Sequence, residues 1–141
     1  TRQALWATDQ SSFDGEFTRF DAVHSQPKPV DGKVPIIVGG HSKAAARRAG
    51  RLGHGFFPAR GAAPELIDLV RRTAEEHGRD PDSIEITASL PDDLDEIPEL
   101  AARGVGRLLV PVLPMLGVPG IINSVEEVAP WADTIDKYRD L

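Results

Sequence analysis

The sequence predicts an α/β fold built on a parallel sheet, and three observations predict it. First, a continuous β-branched run, Val34-Pro35-Ile36-Ile37-Val38, stops at Gly39-Gly40. Strands buried on both faces read this way, and parallel sheets are where such strands occur. Second, short apolar runs alternate with amphipathic stretches from residue 34 onward, in the order β-α-β-α-β-α-β-α. Third, 141 residues suit one domain with a real core, and no fixed-period repeat interrupts the alternation. Four βα units are too few to close an eight-stranded barrel. They make either an open sheet or half of a (β/α)₈ barrel.

The elements follow in order. Arg2 to Ala7 reads as the last turns of a helix, and Asp9 to Asp14 as polar turn. Glu16 to Phe20 alternates with period two, as a short exposed strand does. Gln26-Pro27-Lys28-Pro29 excludes helix and central strand, because each Pro lacks an N–H and restrains its predecessor. Residues 11–33 are therefore a surface connection with one short hairpin at most. Residues 34–141 carry the four βα units.

After the first strand, Ser42 is a good N-cap for a helix reaching Leu52, with Gly53 just past its end. Ala45, Ala49 and Leu52 share one face of that helix, and Arg47, Arg48 and Arg51 lie around the other side. Gly55-Phe56-Phe57-Pro58 is a very short apolar segment. Pro64 to His77 is an amphipathic helix, with Pro64 and Glu65 suited to its first turn and Gly78 to its end. Ser83 to Ala88 is a strand. Asp92 to Arg103 is a helix that Pro98 shortens or kinks. Arg107 to Leu113 is a strand, Pro114 to Asn123 a loop, and Ser124 caps a last helix toward Tyr138.

Composition removes several function classes. Zero Cys excludes disulfides, thiolate nucleophiles and Cys-ligated metal centres. A net charge of −6 argues against nucleic acid, which needs a basic surface. No apolar run approaches the roughly 20 residues of a membrane span, and no secretory signal is visible, so a cytoplasmic location is expected. No pair among His24, His41, His54 and His77 has a zinc-type helical spacing, so no metal is expected. Asp92 to Glu96 lacks the spacing of a calcium loop and reads as helix-start charge. Ser12, Ser25, Ser83, Ser89 and Ser124 lie in no nucleophile elbow.

The stretch that can carry chemistry is Gly39-Gly40-His41-Ser42-Lys43, at the C-terminal end of the first strand of the alternation. Two glycines let the backbone turn sharply and approach a ligand. The free N–H groups of the following helix turn, its dipole, the Ser42 hydroxyl and the nearby Lys43 suit a phosphate. Ligands bind at that end of the strands in open α/β sheets and in barrels alike. A tight strand-to-helix turn with an ordinary cap explains the same residues, and the stretch fits neither a P-loop nor a dinucleotide fingerprint. His41 and His54 are read at strand–loop junctions on the ligand side. His24 reads as solvated, and His77 as a cation at a helix end.

The ordered set of residues also resembles a known family. Pro35 to Ser42, Ala45, Arg48-Ala49, Arg51-Leu52-Gly53 and Gly55-Phe56-Phe57-Pro58 resemble the luciferase-like monooxygenases, the flavin- and deazaflavin-dependent (β/α)₈-barrel oxidoreductases. Phe13 to Phe17, Phe20 and Gln26 to Pro29 match before them. His77 to Pro81 and Gly104 to Arg107 match after them. The resemblance covers nearly the whole chain. It implies the C-terminal half of a barrel and a reduced cofactor, FMN or the deazaflavin coenzyme F420. It implies hydride transfer or oxygenation of a small organic substrate.

Carried over, Gly39, Gly40, His41 and Ser42 would form the cofactor-phosphate turn, with Ala45 packed close by. The chain departs from the family where His54 stands in place of a common Asp. It is also short of the roughly 250 residues of a whole barrel. The family's first half supplies much of the pocket, so no catalytic acid or base is assigned. A C-terminal fragment is the simplest account. Two open edges then imply a homo-oligomer or association with a missing N-terminal half. The alternative functional reading is a non-catalytic half-barrel module that binds a phosphorylated ligand or a partner chain. A third is a self-contained open α/β domain with a small phosphorylated ligand.

Overall fold

A computed structural model of the chain describes residues 2–58, 61, 63–110, 122 and 124–141. It forms two compact units, Thr1–Pro35 and Ile36–Leu141.

The first unit holds helix α1 (Arg2–Ala7) and an antiparallel hairpin of β1 (Gln10–Asp14) and β2 (Arg19–His24). The hairpin is set one step from the sequence expectation. Gln10 to Asp14 is strand rather than turn, and Glu16 to Thr18 is turn rather than strand. Cross-strand packing is the reason: Phe13 pairs with Phe20, and their rings stack with centroids 5.9 Å apart. That register leaves Phe17 at the tip, exposed. The Lys28 ammonium donates to the carbonyls of Leu5 (2.7 Å) and Thr8 (2.6 Å), which satisfies the C-terminal end of α1.

The second unit holds the alternation. Its elements are β3 (Ile37–Gly39), α2 (Lys43–Leu52), β4 (Gly55–Phe57), α3 (Pro64–Glu76), β5 (Glu85–Ser89), α4 (Ile97–Ala102), β6 (Val105–Leu109) and α5 (Trp131–Tyr138). The four strands form one parallel sheet in the order β3-β4-β5-β6. The core lies between one sheet face and the helices, with Phe56, Ile86 and Ala88 on the sheet and Ala46, Ala49, Ile67, Val70 and Ala74 on α2 and α3. Strand alternation sends Ile37, Gly39, Glu85, Thr87 and Arg107 to the other face. There Arg107 donates to Glu85 at 2.9 Å, and the Thr87 hydroxyl donates to the second oxygen of the same carboxylate at 3.3 Å.

Small residues bring α2 against α3. A Cβ on Gly50 would stand 2.4 Å from the Val70 carbonyl and 2.8 Å from the Thr73 side chain. This contact turns Ala46 and Gly50 inward and leaves Leu52 exposed, so the apolar face of α2 is Ala45-Ala46-Ala49-Gly50 rather than the expected one through Leu52.

Three other expectations are corrected. The run Val34 to Val38 is not buried on both faces: Ile37 is 41% exposed and Val34 42%. Among the described residues β3 is an edge strand, and nothing covers its second face. The helix expected over 92–103 is a 3₁₀ turn, Leu94–Glu96, that hands over to α4, because Pro98 is tolerated only in a first helical turn. The last helix begins at Trp131 rather than behind Ser124. A helix running through Pro130 would drive its ring into the Glu126 carbonyl, so 126–130 are turns. The strand expected over Arg107 to Leu113 is β6. Residues 111–113 of the expected strand lie outside the described residues, as does most of the Pro114 to Asn123 loop. No described helix is long and apolar enough to cross a membrane.

Candidate cofactor-binding site

The turn between β3 and α2 stands at the C-terminal edge of the sheet. Two local facts build it. Ser42 sits in extended backbone as N-cap, and its Oγ accepts from the Ala45 N–H at 3.2 Å. Gly40 stands at φ +132°, a region that favours glycine, and its N–H donates to the Phe57 carbonyl at 3.1 Å. The end of β3 is thereby pinned to the end of β4 while the chain turns into the helix.

The turn is bare on its outer side. A Cβ at Gly39 would meet nothing within 4 Å. A Cβ at Gly40 would stand 3.0 Å from Ala45 Cβ, so Ala45, which is buried, forms the wall behind the turn. The N–H groups of Lys43 and Ala44 have no acceptor inside the helix. His41, Ser42 and Lys43 are exposed, and among the described residues Lys43 takes part in no ion pair. Open space at Gly39, free amides and the positive end of α2 together fit an anionic group, and a phosphate in particular.

Gly39, Gly40, His41, Ser42 and Ala45 are thus brought together. His54 is not among them. It precedes β4 and lies at the opposite, N-terminal end of the strands, so its placement on the ligand side is corrected. Its Nδ1 accepts the Ile36 N–H at 3.0 Å. His77 closes α3, with its Nδ1 2.8 Å from the Thr73 carbonyl. His24 is an exposed residue of β2. Asp93 caps the 3₁₀ turn through the Asp95 N–H, and no His, Asp and Glu cluster among the described residues could hold a metal.

Sequence reading missed two contributors. The Phe57 carbonyl holds Gly40 from across the sheet. Arg79, beyond α3, donates to the carbonyls of Ala49 (3.3 Å), Gly50 (2.6 Å) and Gly53 (2.5 Å) and closes the far end of α2. No local signal marks either, because each partner is distant along the chain. A separate apolar cavity, lined by Leu90, Ile97, Val105, Leu108, Trp131 and Ile135, lies at the β6 edge, across the sheet from the turn.

The chain resembles known proteins in sequence and in fold. The chain is similar to the F420-dependent glucose-6-phosphate dehydrogenase of Mycobacterium avium (strain 104), with 35% identity over 102 residues, 69% of this chain and 30% of that protein. The enzyme of the same description from Nakamurella multipartita is 35% identical over 86 residues, 57% of this chain and 25% of that protein. The chain thus matches between a quarter and a third of the length of these relatives. Among solved structures, an F420-dependent secondary alcohol dehydrogenase in complex with an F420–acetone adduct superposes with a TM-score of 0.52 at 26% identity, covering 70% of this chain and 32% of that one. The long-chain alkane monooxygenase LadA superposes with a TM-score of 0.52 at 16% identity, over 72% of this chain and 30% of that one, a likeness of fold. These neighbours are (β/α)₈ barrels, and the four parallel strands with their helices correspond to part of one. The sequence profile of the luciferase-like monooxygenases matches residues 2–140, and this chain belongs to that family.

Proposed function

We propose that this chain supplies the cofactor-phosphate site of a luciferase-like oxidoreductase, and that the cofactor is the deazaflavin F420. The observation that carries the reading is the open, methyl-free face of Gly39 beside the N-terminus of α2. A Cβ there would stand in open space on the sheet face away from the helices and would narrow a ligand's approach to the turn. The relatives at 35% identity, named for F420-dependent dehydrogenases, favour the deazaflavin over FMN and hydride transfer over oxygenation.

A reduced deazaflavin supplies a hydride, and the protein binds and orients it. The Lys43 and Ala44 amides and the backbone at Gly39 and Gly40 receive the phosphate. The Ser42 hydroxyl holds the first turn of α2 in place and has its own proton to donate. Lys43 adds positive charge from a flexible stem. His41 flanks the turn. The substrate is a small organic molecule whose contacts lie beyond these residues.

A second reading, a half-barrel module that works with a partner chain, is favoured by the exposed edges. Ile37 on β3 and Leu109 on β6 are 41% and 43% exposed. Self-association or a chain carrying the other strands would cover them.

The test is a fluorescence titration of F420, and separately of FMN, repeated with Gly39→Ala. This substitution has room in the fold and fills only the cradle. Binding of F420 in preference to FMN, weakened tenfold or more by Gly39→Ala, is the expected result. Equal binding by the variant would remove Gly39 from the site. Preference for FMN would assign the flavin instead.

A further inference from the structure

The other end of β3 carries an unusual arrangement. Pro35 has no N–H, so Ile36 offers the first amide of the strand. The Ile36 carbonyl accepts from the N–H groups of His54 (2.8 Å) and Gly55 (3.3 Å). The slanted parallel pattern that makes these bonds would send the Ile36 N–H toward the Gly53 carbonyl. Arg79 occupies that carbonyl at 2.5 Å. The His54 imidazole takes its place, and Nδ1 accepts the Ile36 N–H at 3.0 Å. A side chain thus substitutes for a backbone acceptor in the first rung of the ladder. The acceptor role requires the imidazole proton to sit on Nε2.

The rung matters because β3 is short. Only Ile37, Val38 and Gly39 pair with β4, and the next bond is Gly40 N–H to the Phe57 carbonyl. The end amides of the strand are held by the His54 imidazole at Ile36 and by the Phe57 carbonyl at Gly40, beside the two bonds that the Ile36 carbonyl accepts. Nothing among the described residues pairs with its other edge. A slip at Ile36 would therefore shift Gly39 and Gly40 with it.

We propose that His54 is a positioning residue for the Gly39–Ser42 turn. It sets the register of β3 through the Ile36 amide, and with it the place of the turn against α2. The inference rests on the phosphate reading for its functional consequence, but the positional effect is measurable without any ligand.

The test compares the chain with His54→Phe and His54→Asn. Asn keeps an acceptor oxygen near the Nδ1 position, and Phe keeps the ring without an acceptor. In ¹⁵N-labelled protein a through-bond coupling between Ile36 N and His54 Nδ1 is expected. His54→Phe should speed amide exchange at Ile36 and also at Gly40, about three- to tenfold, the worth of one hydrogen bond. His54→Asn should restore both. F420, as the phosphate-bearing probe, should shift the Gly40 and Ala44 amide resonances, with affinity lowered by His54→Phe and recovered by His54→Asn. Unchanged exchange at Gly40 in His54→Phe would overturn the proposal, whatever happens at Ile36. Normal exchange effects with no F420 response at Gly40 or Ala44 in the unsubstituted chain would uphold the positioning and overturn the phosphate reading.

Discussion

One methyl group separates the two glycines of the turn. At Gly39 it meets open space, and at Gly40 it meets Ala45 at 3.0 Å in backbone at φ +132°. Gly39→Ala should therefore change stability by less than about 0.5 kcal/mol while weakening cofactor binding. Gly40→Ala should cost about 1–3 kcal/mol, read as a lower urea midpoint. If both variants unfold alike, the space seen at Gly39 is not there. Ser42→Ala should cost about 1 kcal/mol through the lost cap, so its binding defect must be read against that loss. At this scale the glycine turn and its Ser42 cap are legible in the sequence, because the conformational and capping chemistry of Gly and Ser is intrinsic. His54 was legible as a residue and misplaced as a neighbour, because which end of β4 it occupies depends on where that strand starts.

Among the elements, α2 is held by three devices: the Ser42 cap, the close crossing with α3, and the Arg79 clamp. The crossing is the strictest. Gly50→Ala would press a methyl against the Val70 carbonyl at 2.4 Å, so it should destabilise by about 1–3 kcal/mol although Ala is the better helix former. Arg79→Met keeps the aliphatic stem and removes three carbonyl contacts. A charged donor is worth about 1.5–3 kcal/mol, and the half-buried setting of Arg79 puts the expected loss at the lower end. Thermal melts of the two variants should both fall below that of the unsubstituted chain. A melt unchanged by Arg79→Met would mean that water serves those carbonyls as well. Helix extents came through clearly in α2 and α3, where caps and periodicity agree. They failed before α4 and α5, where Pro98 and Pro130 decide the first turn.

For the whole chain, the governing fact is a four-stranded parallel sheet with two unpaired edges among the described residues. Its second face carries the Glu85–Arg107 pair, with Glu85 35% and Arg107 57% exposed, so the pair adds at most about 1 kcal/mol as it stands. Open parallel edges with Ile37 and Leu109 exposed favour association. Light scattering should show a species larger than one chain, and Ile37→Lys with Leu109→Lys should shift it toward the monomer. A monodisperse monomer of the unsubstituted chain would count against association through these edges.

The alternation of elements, the cap at Ser42 and the glycine turn follow from the sequence alone, because propensity, periodicity and capping act within a few residues. The tertiary structure decided what lies far apart along the chain. It stacked Phe13 on Phe20 and so set the hairpin register. It turned Gly50 rather than Leu52 into the core. It placed His54 beneath β3 and gave the Gly53 carbonyl to Arg79. Each of these is a contact between distant segments. Their geometry depends on how strands and helices pack, and no local pattern encodes it.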